Sequence, residues 1–294
     1  MKCISNLKTR QLLSVFFGVL LLSIQLPLAE ALTNSSATID LSFQSNVFIS
    51  SSAVDEKGAE IPGFCNAALI SNQVLITAAH CISEALALSK NQIHIEVGAY
   101  KFVTRKTDGV QVRVGYVPFL KKDIAARFIV SKNLQSNISR QGVKAQVPPS
   151  EDIAIIILKE KLELDSSFNF ANVISQKIWT DIKAHLSNAR LSIVSINYWD
   201  TATTDFKRSA TLNSFSFNSG GWLESRSNSR VEEGDSGSPV YLDYQNHIYL
   251  AGVVKGRAST IFSNWDVMPL LSSKACGISR ESSLPAEVTN LVCK

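Results

Sequence analysis

Three separated segments carry side chains suited to nucleophilic acyl transfer. Thr77-Ala78-Ala79-His80-Cys81 follows the hydrophobic run Val74 to Ile76, which sets an imidazole at the end of a strand and ties it there through the neighbouring cysteine. Glu151-Asp152 stands directly before Ile153 to Leu158, a run apolar enough for full burial, so Asp152 can orient a partner from a sheltered position. Glu233-Gly234-Asp235-Ser236-Gly237-Ser238-Pro239 puts a serine between glycines. Glycine backbone adopts dihedrals barred to other residues and can aim successive N–H groups at one point. A serine hydroxyl is a weak nucleophile at its own pKa; it needs a base to take its proton and a carboxylate to hold that base in the right tautomer. In these roles Ser236 attacks, His80 moves the proton, Asp152 orients His80, and the amides of Gly234 and Ser236 form the oxyanion hole. Losing one such donor typically costs about 3 kcal/mol of barrier stabilisation. His94, His185 and His247 have no comparable setting and read as structural.

The elements that must position these groups are mostly strands. Short β-type runs recur at Val47 to Ile49, Ala68 to Ile76, Ile93 to Val97, Val110 to Val114, Ile153 to Leu158 and Leu191 to Ile196, and again at Pro239 to Leu242 and Ile248 to Val254. They predict an all-β sandwich or a pair of barrels. Gly252, inside the last run, marks a close approach of backbone. Ser131 to Ser150 is polar, ends in Pro148-Pro149 and reads as a long surface loop. Ser272 to Lys294 mixes Ser, Gly and Pro with two cysteines and reads as an irregular appendage. There is no internal repeat.

Composition narrows the class. In 294 residues, 45% are hydrophobic and 18% charged, which does not fit a disordered, collagen-like or coiled-coil chain. A net charge of +4, mixed along the chain, is too weak for a nucleic-acid or polybasic membrane footprint. Lys2, Lys8 and Arg10 precede an apolar run from Leu12 to Leu28 and then Ala29-Glu30-Ala31, the pattern of a secretory signal peptide over residues 1–31. The rival is a single membrane anchor, for which the run is short and interrupted by Ser14, Ser23, Gln25 and Pro27. Cleavage after Ala31 leaves Cys65, Cys81, Cys276 and Cys293, an even set suited to an oxidising compartment. Three connectivities are open, and sequence order favours the local pairs Cys65–Cys81 and Cys276–Cys293, each worth about 3 kcal/mol in the chain-entropy model. Zinc is the rival use, but no metal-ligand spacing of Cys or His is present.

Cys65-Asn66-Ala67-Ala68-Leu69-Ile70, Val74 to Cys81, Asp152-Ile153-Ala154-Ile155-Ile156 and Gly234 to Pro239, in His, Asp, Ser order, resemble the chymotrypsin/trypsin-type serine endopeptidases. The resemblance covers about residues 39–270. It implies an all-β fold of two packed antiparallel β-barrels with the active site in the cleft between them, and a Cys65–Cys81 bridge. The N-terminal barrel then spans about 32–165 and the C-terminal barrel about 166–271, together the peptidase domain 32–271, followed by a disulfide-stapled tail, 272–294.

The chain departs from the family in three places. No Ile-Val-Gly-Gly-type activation terminus is visible; Ile39-Asp40 lies at about the right distance before Cys65, but Thr38 precedes it, and Asp235 needs either a differently processed amino terminus or an internal cation. Glu232 replaces the cysteine that frames the family's specificity pocket. Ungapped counting puts Arg230 at the pocket base, and Lys255 and Arg257 on the pocket wall where small residues are usual. Those cations would favour an acidic substrate side chain; the alternative is that they face solvent around a small or apolar pocket. The sequence therefore predicts a secreted serine endopeptidase, extracellular or periplasmic. It acts on polypeptides without metal or cofactor, with no nucleic-acid partner and no stable membrane association once the signal is removed. A monomer is expected, although nothing in the sequence fixes the oligomeric state. The alternative function is a catalytically silent or latent homologue that binds rather than cleaves.

Overall fold

The computed structural model describes residues 38–39, 44–54, 60–88, 93–104, 111–118, 124–164, 166, 168–185, 189–196, 207–212, 215–225, 231, 234–259, 264–269, 271 and 274–293. The signal-peptide expectation lies outside them. The strands are β1 (Thr38–Ile39), β2 (Asn46–Val54), β3 (Glu60–Leu69), β4 (Val74–Thr77), β5 (Ile93–Thr104), β6 (Gln111–Pro118), β7 (Ile124–Ile129), β8 (Ala154–Leu158), β9 (Arg190–Ile196), β10 (Lys207–Leu212), β11 (Ser216–Asn218), β12 (Trp222–Ser225), β13 (Pro239–Tyr244), β14 (His247–Val253), β15 (Gly256–Ser259) and β16 (Asn264–Pro269). The helices are α1 (His80–Leu88), α2 (Lys132–Gln141), α3 (Gln176–Ala184), α4 (Lys274–Glu281) and α5 (Ala286–Val292).

Strands β4 and β8, the two runs that frame His80 and Asp152 in sequence, are antiparallel neighbours with Leu75 opposite Ile156. Leu75, Ala154, Ile156 and Leu158 face one core, whereas Val74, Ile76 and Ile155 face another. Burial on both faces explains why neither run alternates with polar residues. Around them β2, β3, β4, β8, β7 and β5 form a ring, closed because β5 pairs back onto β2, with β6 added on β5. Closure leaves no open edge in the ring. The second half has two antiparallel sheets, β1-β10-β9-β13-β14 and β11-β12-β16-β15. Leu191, Ile193, Leu223, Val240, Leu242 and Met268 from these sheets share a third core. This is the all-β, two-barrel architecture anticipated from the sequence.

The halves meet across the second core and through three polar side chains of the first barrel. Ser45 Oγ lies 2.7 Å from the Tyr241 hydroxyl. Asn46 Nδ2 donates to Val194 O at 2.8 Å, and Asn66 bonds to β9 as described below. Gly252 is the close-approach point expected of it, since a Cβ there would fall 2.5 Å from the Pro269 carbonyl oxygen.

Three local expectations need correction. The run Ala68 to Ile76 is broken at Ser71–Gln73, where the Ser71 hydroxyl accepts from the Gln73 and Val74 amides and turns the chain between β3 and β4. The loop expected over Ser131 to Ser150 contains α2. Ser131 Oγ caps it by accepting from Leu134 N–H, Leu134 and Ile138 bury its inner face, and Gly142 ends it at φ 60°. The tail is helical, not irregular: Ala275 and Ile278 on α4, Leu284 in the turn, and Val288 and Val292 on α5 all enter the inter-barrel core. Both disulfides pair as expected, Cys65–Cys81 within the first barrel and Cys276–Cys293 across the two tail helices. Among the described residues no helix is long and apolar enough to cross a membrane.

Candidate active site

His80 opens α1, three residues beyond the last strand residue of β4. Its backbone N–H, an orphan donor at a helix start, is capped by Asp152 Oδ1 at 2.8 Å. The ring donates from Nδ1 to Asp152 Oδ2, also at 2.8 Å. One carboxylate therefore holds both the main chain and the ring of His80. With the proton at Nδ1, as that acceptor requires, Nε2 is the basic nitrogen. Asp152 is delivered by a single 3₁₀ turn, Pro149–Glu151, which opens on the fixed φ of proline and leaves Asp152 as its C-cap. The carboxylate is completely buried, whereas the His80 side chain is 29% exposed. Burial pushes the Asp152 carboxyl up, but the hydrogen bond and charge of His80 and the nearby Lys255 ammonium outweigh it and hold the group below its usual value.

Ser236 sits on a turn held from both halves. The Asn66 N–H donates to Ser236 O at 2.8 Å, and the Gly237 N–H donates to Val254 O at 2.8 Å. Gly234 and Gly237 take φ of 98° and 75°, the left-handed side that favours glycine. A Cβ at Gly237 would strike the Asn66 carbonyl and the Thr77 hydroxyl. The sequence reading missed Asn66, which is buried between the halves. Its Nδ2 reaches Gly234 O at 3.0 Å, Ser195 Oγ at 3.3 Å and Ile196 O at 3.3 Å, while its Oδ1 accepts from Ile196 N–H at 2.7 Å. An amide amid Cys65, Ala67, Ala68 and Leu69 was the available signal, because a polar group inside an apolar strand must find partners. The amides of Gly234 and Ser236 have no hydrogen-bond partner among the described residues.

His80 and Asp152 are thus brought together, but Ser236 is not joined to them: among the described residues no hydrogen bond links Ser236 Oγ to His80. His80 Nε2 instead lies 3.9 Å from Cys81 Sγ. Cys65, His80 and Cys81 converge closely, yet both sulfurs are spent in the disulfide and neither is free to ligate a metal.

Lys255 has a different place from the one expected on the pocket wall. Its Nζ donates to Asp152 Oδ2 at 3.0 Å and to Val147 O at 2.8 Å, so the ammonium is committed to the carboxylate that orients His80. Arg230 and the side chain of Arg257 lie outside the described residues, as does the side chain of His94. His185 and His247 are exposed, each with Nδ1 beside a nearby carbonyl, Asp181 O and Gln245 O. Ile39 lies in β1 opposite Arg208 of β10. Asp235 is completely buried.

With a closed barrel, a second half of two sheets and a buried carboxylate bonded to an imidazole at the start of a helix, the molecule has the frame of a trypsin-like protease. The family model for trypsin matches residues 35–261. The chain belongs to the trypsin family, and it is a trypsin-like protease in its general class. No curated protein matches it.

Proposed function

We propose that the protein is a secreted serine endopeptidase that cleaves polypeptide amides through an acyl-enzyme. The observation that carries this reading is the His80–Asp152 couple, two bonds of 2.8 Å to one buried carboxylate, in a chain whose Gly234 and Ser236 amides have no hydrogen-bond partner among the described residues. As substrate enters, Nε2 takes the proton from Ser236 Oγ, and Oγ adds to the scissile carbonyl carbon. The developing oxyanion is received by the Gly234 and Ser236 N–H groups. Asp152 stabilises the imidazolium, which returns the proton to the leaving amine as the C–N bond breaks. Water, deprotonated by Nε2, then adds to the acyl carbon, and the imidazolium gives that proton to Ser236 Oγ as the C–Oγ bond breaks and the acid is released. Catalytic hydrogen bonds are often formed only in the substrate complex, so His80 turns from Cys81 Sγ onto Ser236 Oγ as that complex assembles.

Residues 1–31 serve as a removable leader, and the two disulfides support passage through an oxidising compartment. The peptidase body follows as barrels of about 32–165 and 166–271, with the tail at 272–294. A second reading, a latent or silent homologue, draws on the absence of a Ser236–His80 hydrogen bond among the described residues and on Ile39 lying in a sheet. One experiment separates them. A fluorophosphonate probe applied to the processed protein labels Ser236 if the nucleophile is activated, and the label is lost in Ser236→Ala. A folded, processed protein that takes no label is not a working protease.

A further inference from the structure

Asp152 Oδ2 is shared by two donors, His80 Nδ1 at 2.8 Å and Lys255 Nζ at 3.0 Å. A carboxylate with no exposed surface needs a compensating charge. While His80 is neutral, the cation on that carboxylate is Lys255, pinned in turn by Val147 O just before the Pro148-Pro149 turn that delivers Asp152. A proton arriving on His80 places a second cation on the same oxygen. Like charges around one acceptor oppose each other, so Lys255 works against protonation of the ring.

We infer that Lys255 is a positioning residue: it balances the charge of Asp152 in the resting state and extends the range over which His80 acts as a base toward lower pH. The inference rests on the protease reading for its enzymatic consequence, but its electrostatic content stands on these contacts alone. The other ionisable groups on the elements that meet here are few. On α1, Glu84 is exposed, and on the segments packed against α1 so are Lys132 and Arg140 of α2 and Lys144 of the following turn Gly142–Lys144. On the 3₁₀ turn, Glu151 is bound by the Ser131 hydroxyl at 2.6 Å and lies 3.4 Å from Asn133 Nδ2. The Ser236 turn carries the buried Asp235. Arg230, Glu232 and Glu233 lie outside the described residues.

The test compares Lys255→Met, which keeps the length and removes the charge, with Lys255→Arg, which keeps the charge; Lys255→Gln replaces the Met variant if that variant does not fold. The acid limb of kcat/KM against pH, measured on an uncharged peptide substrate, should move up by about one pH unit in Lys255→Met, roughly a tenfold loss on the acid slope. In Lys255→Arg it should stay in place. The ring resonances of His80, assigned with His80→Gln and followed across pH in Ser236→Ala with and without Lys255→Met, should move in the same direction without any need for turnover. Superimposable profiles and titrations, or a move to lower pH on removing the charge, overturn the inference and leave the protease reading standing. A moved ring titration in a protein that hydrolyses nothing supports the inference and sinks the protease reading instead.

Discussion

His80 and Asp152 are held in one way, and Ser236 in another. His80 follows β4 and Asp152 precedes its neighbour β8 in the closed first barrel, and the two are locked by two short hydrogen bonds to a carboxylate with no exposed surface. The serine stands on a glycine turn ahead of β13, in the half built as two sheets, and that turn is gripped by Asn66 from the other half. One side gains its accuracy from closure and burial of charge, the other from a strap across a seam. Changes inside the first barrel should therefore act on the chemistry of the base. Changes at the seam should act on the placement of the nucleophile and on how firmly the halves adhere.

The largest expected effect is on the chemistry alone. Ser236→Ala and His80→Ala should each lower kcat/KM for peptide hydrolysis by on the order of 10⁴-fold, with the thermal midpoint near that of the parent protein; full activity in His80→Ala would falsify the mechanism. Next comes the seam seen from the turn. Gly237→Ala forces a left-handed residue against the Asn66 carbonyl and the Thr77 hydroxyl, and should cost about 3 kcal/mol in denaturant unfolding. A parent-like midpoint would show that the turn yields more easily than its contacts suggest.

Asn66→Ala removes the strap, leaves Ile196 N–H without its acceptor, and should cost about 2 kcal/mol of stability. It should also lower kcat about tenfold or more with KM little changed, because the proposed oxyanion donors, the Gly234 and Ser236 amides, lose their fixed placement. Unchanged kcat would confine Asn66 to holding the halves together. The smallest effect is confined to acid. Asp152 is held below its usual pKa in the folded protein, so the stability it contributes is complete above the unfolded value, about 3.9. That contribution is lost as pH falls through the lower folded value. Asp152→Asn should flatten unfolding free energy against pH below about 4, a slope read directly from denaturant titrations; an unchanged slope would assign acid sensitivity to other carboxylates.

What was legible in the sequence follows the same divide. Strands β4 and β8 announce themselves because burial on both faces leaves nothing but apolar residues, and both cysteine pairs follow chain order. Helix α2 was hidden because only Leu134 and Ile138 mark its inner face among polar neighbours, and the tail helices were masked by serine, glycine and proline. Lys255 was misplaced for a different reason. Its partners, Asp152 and Val147, are more than a hundred positions away, and no local pattern records which way a lysine between two strands will reach. Asn66 stands in the Cys65 to Ile70 segment, but what it holds exists only once two halves have met.

The order of arrival of the chain gives the tail a further meaning. The core between the barrels draws on β4 and β8 early and on Leu284, Val288 and Val292 last. Domains form as their residues emerge from the ribosome, amino-terminal portions first. A nascent chain can close its first barrel and still present the open flank of Val74, Ile76 and Ile155 until the final helix has followed. The seam that carries Ser236 thus matures only once α5 has emerged, so the ring that holds His80 is ready before the Ser236 turn is firmly set.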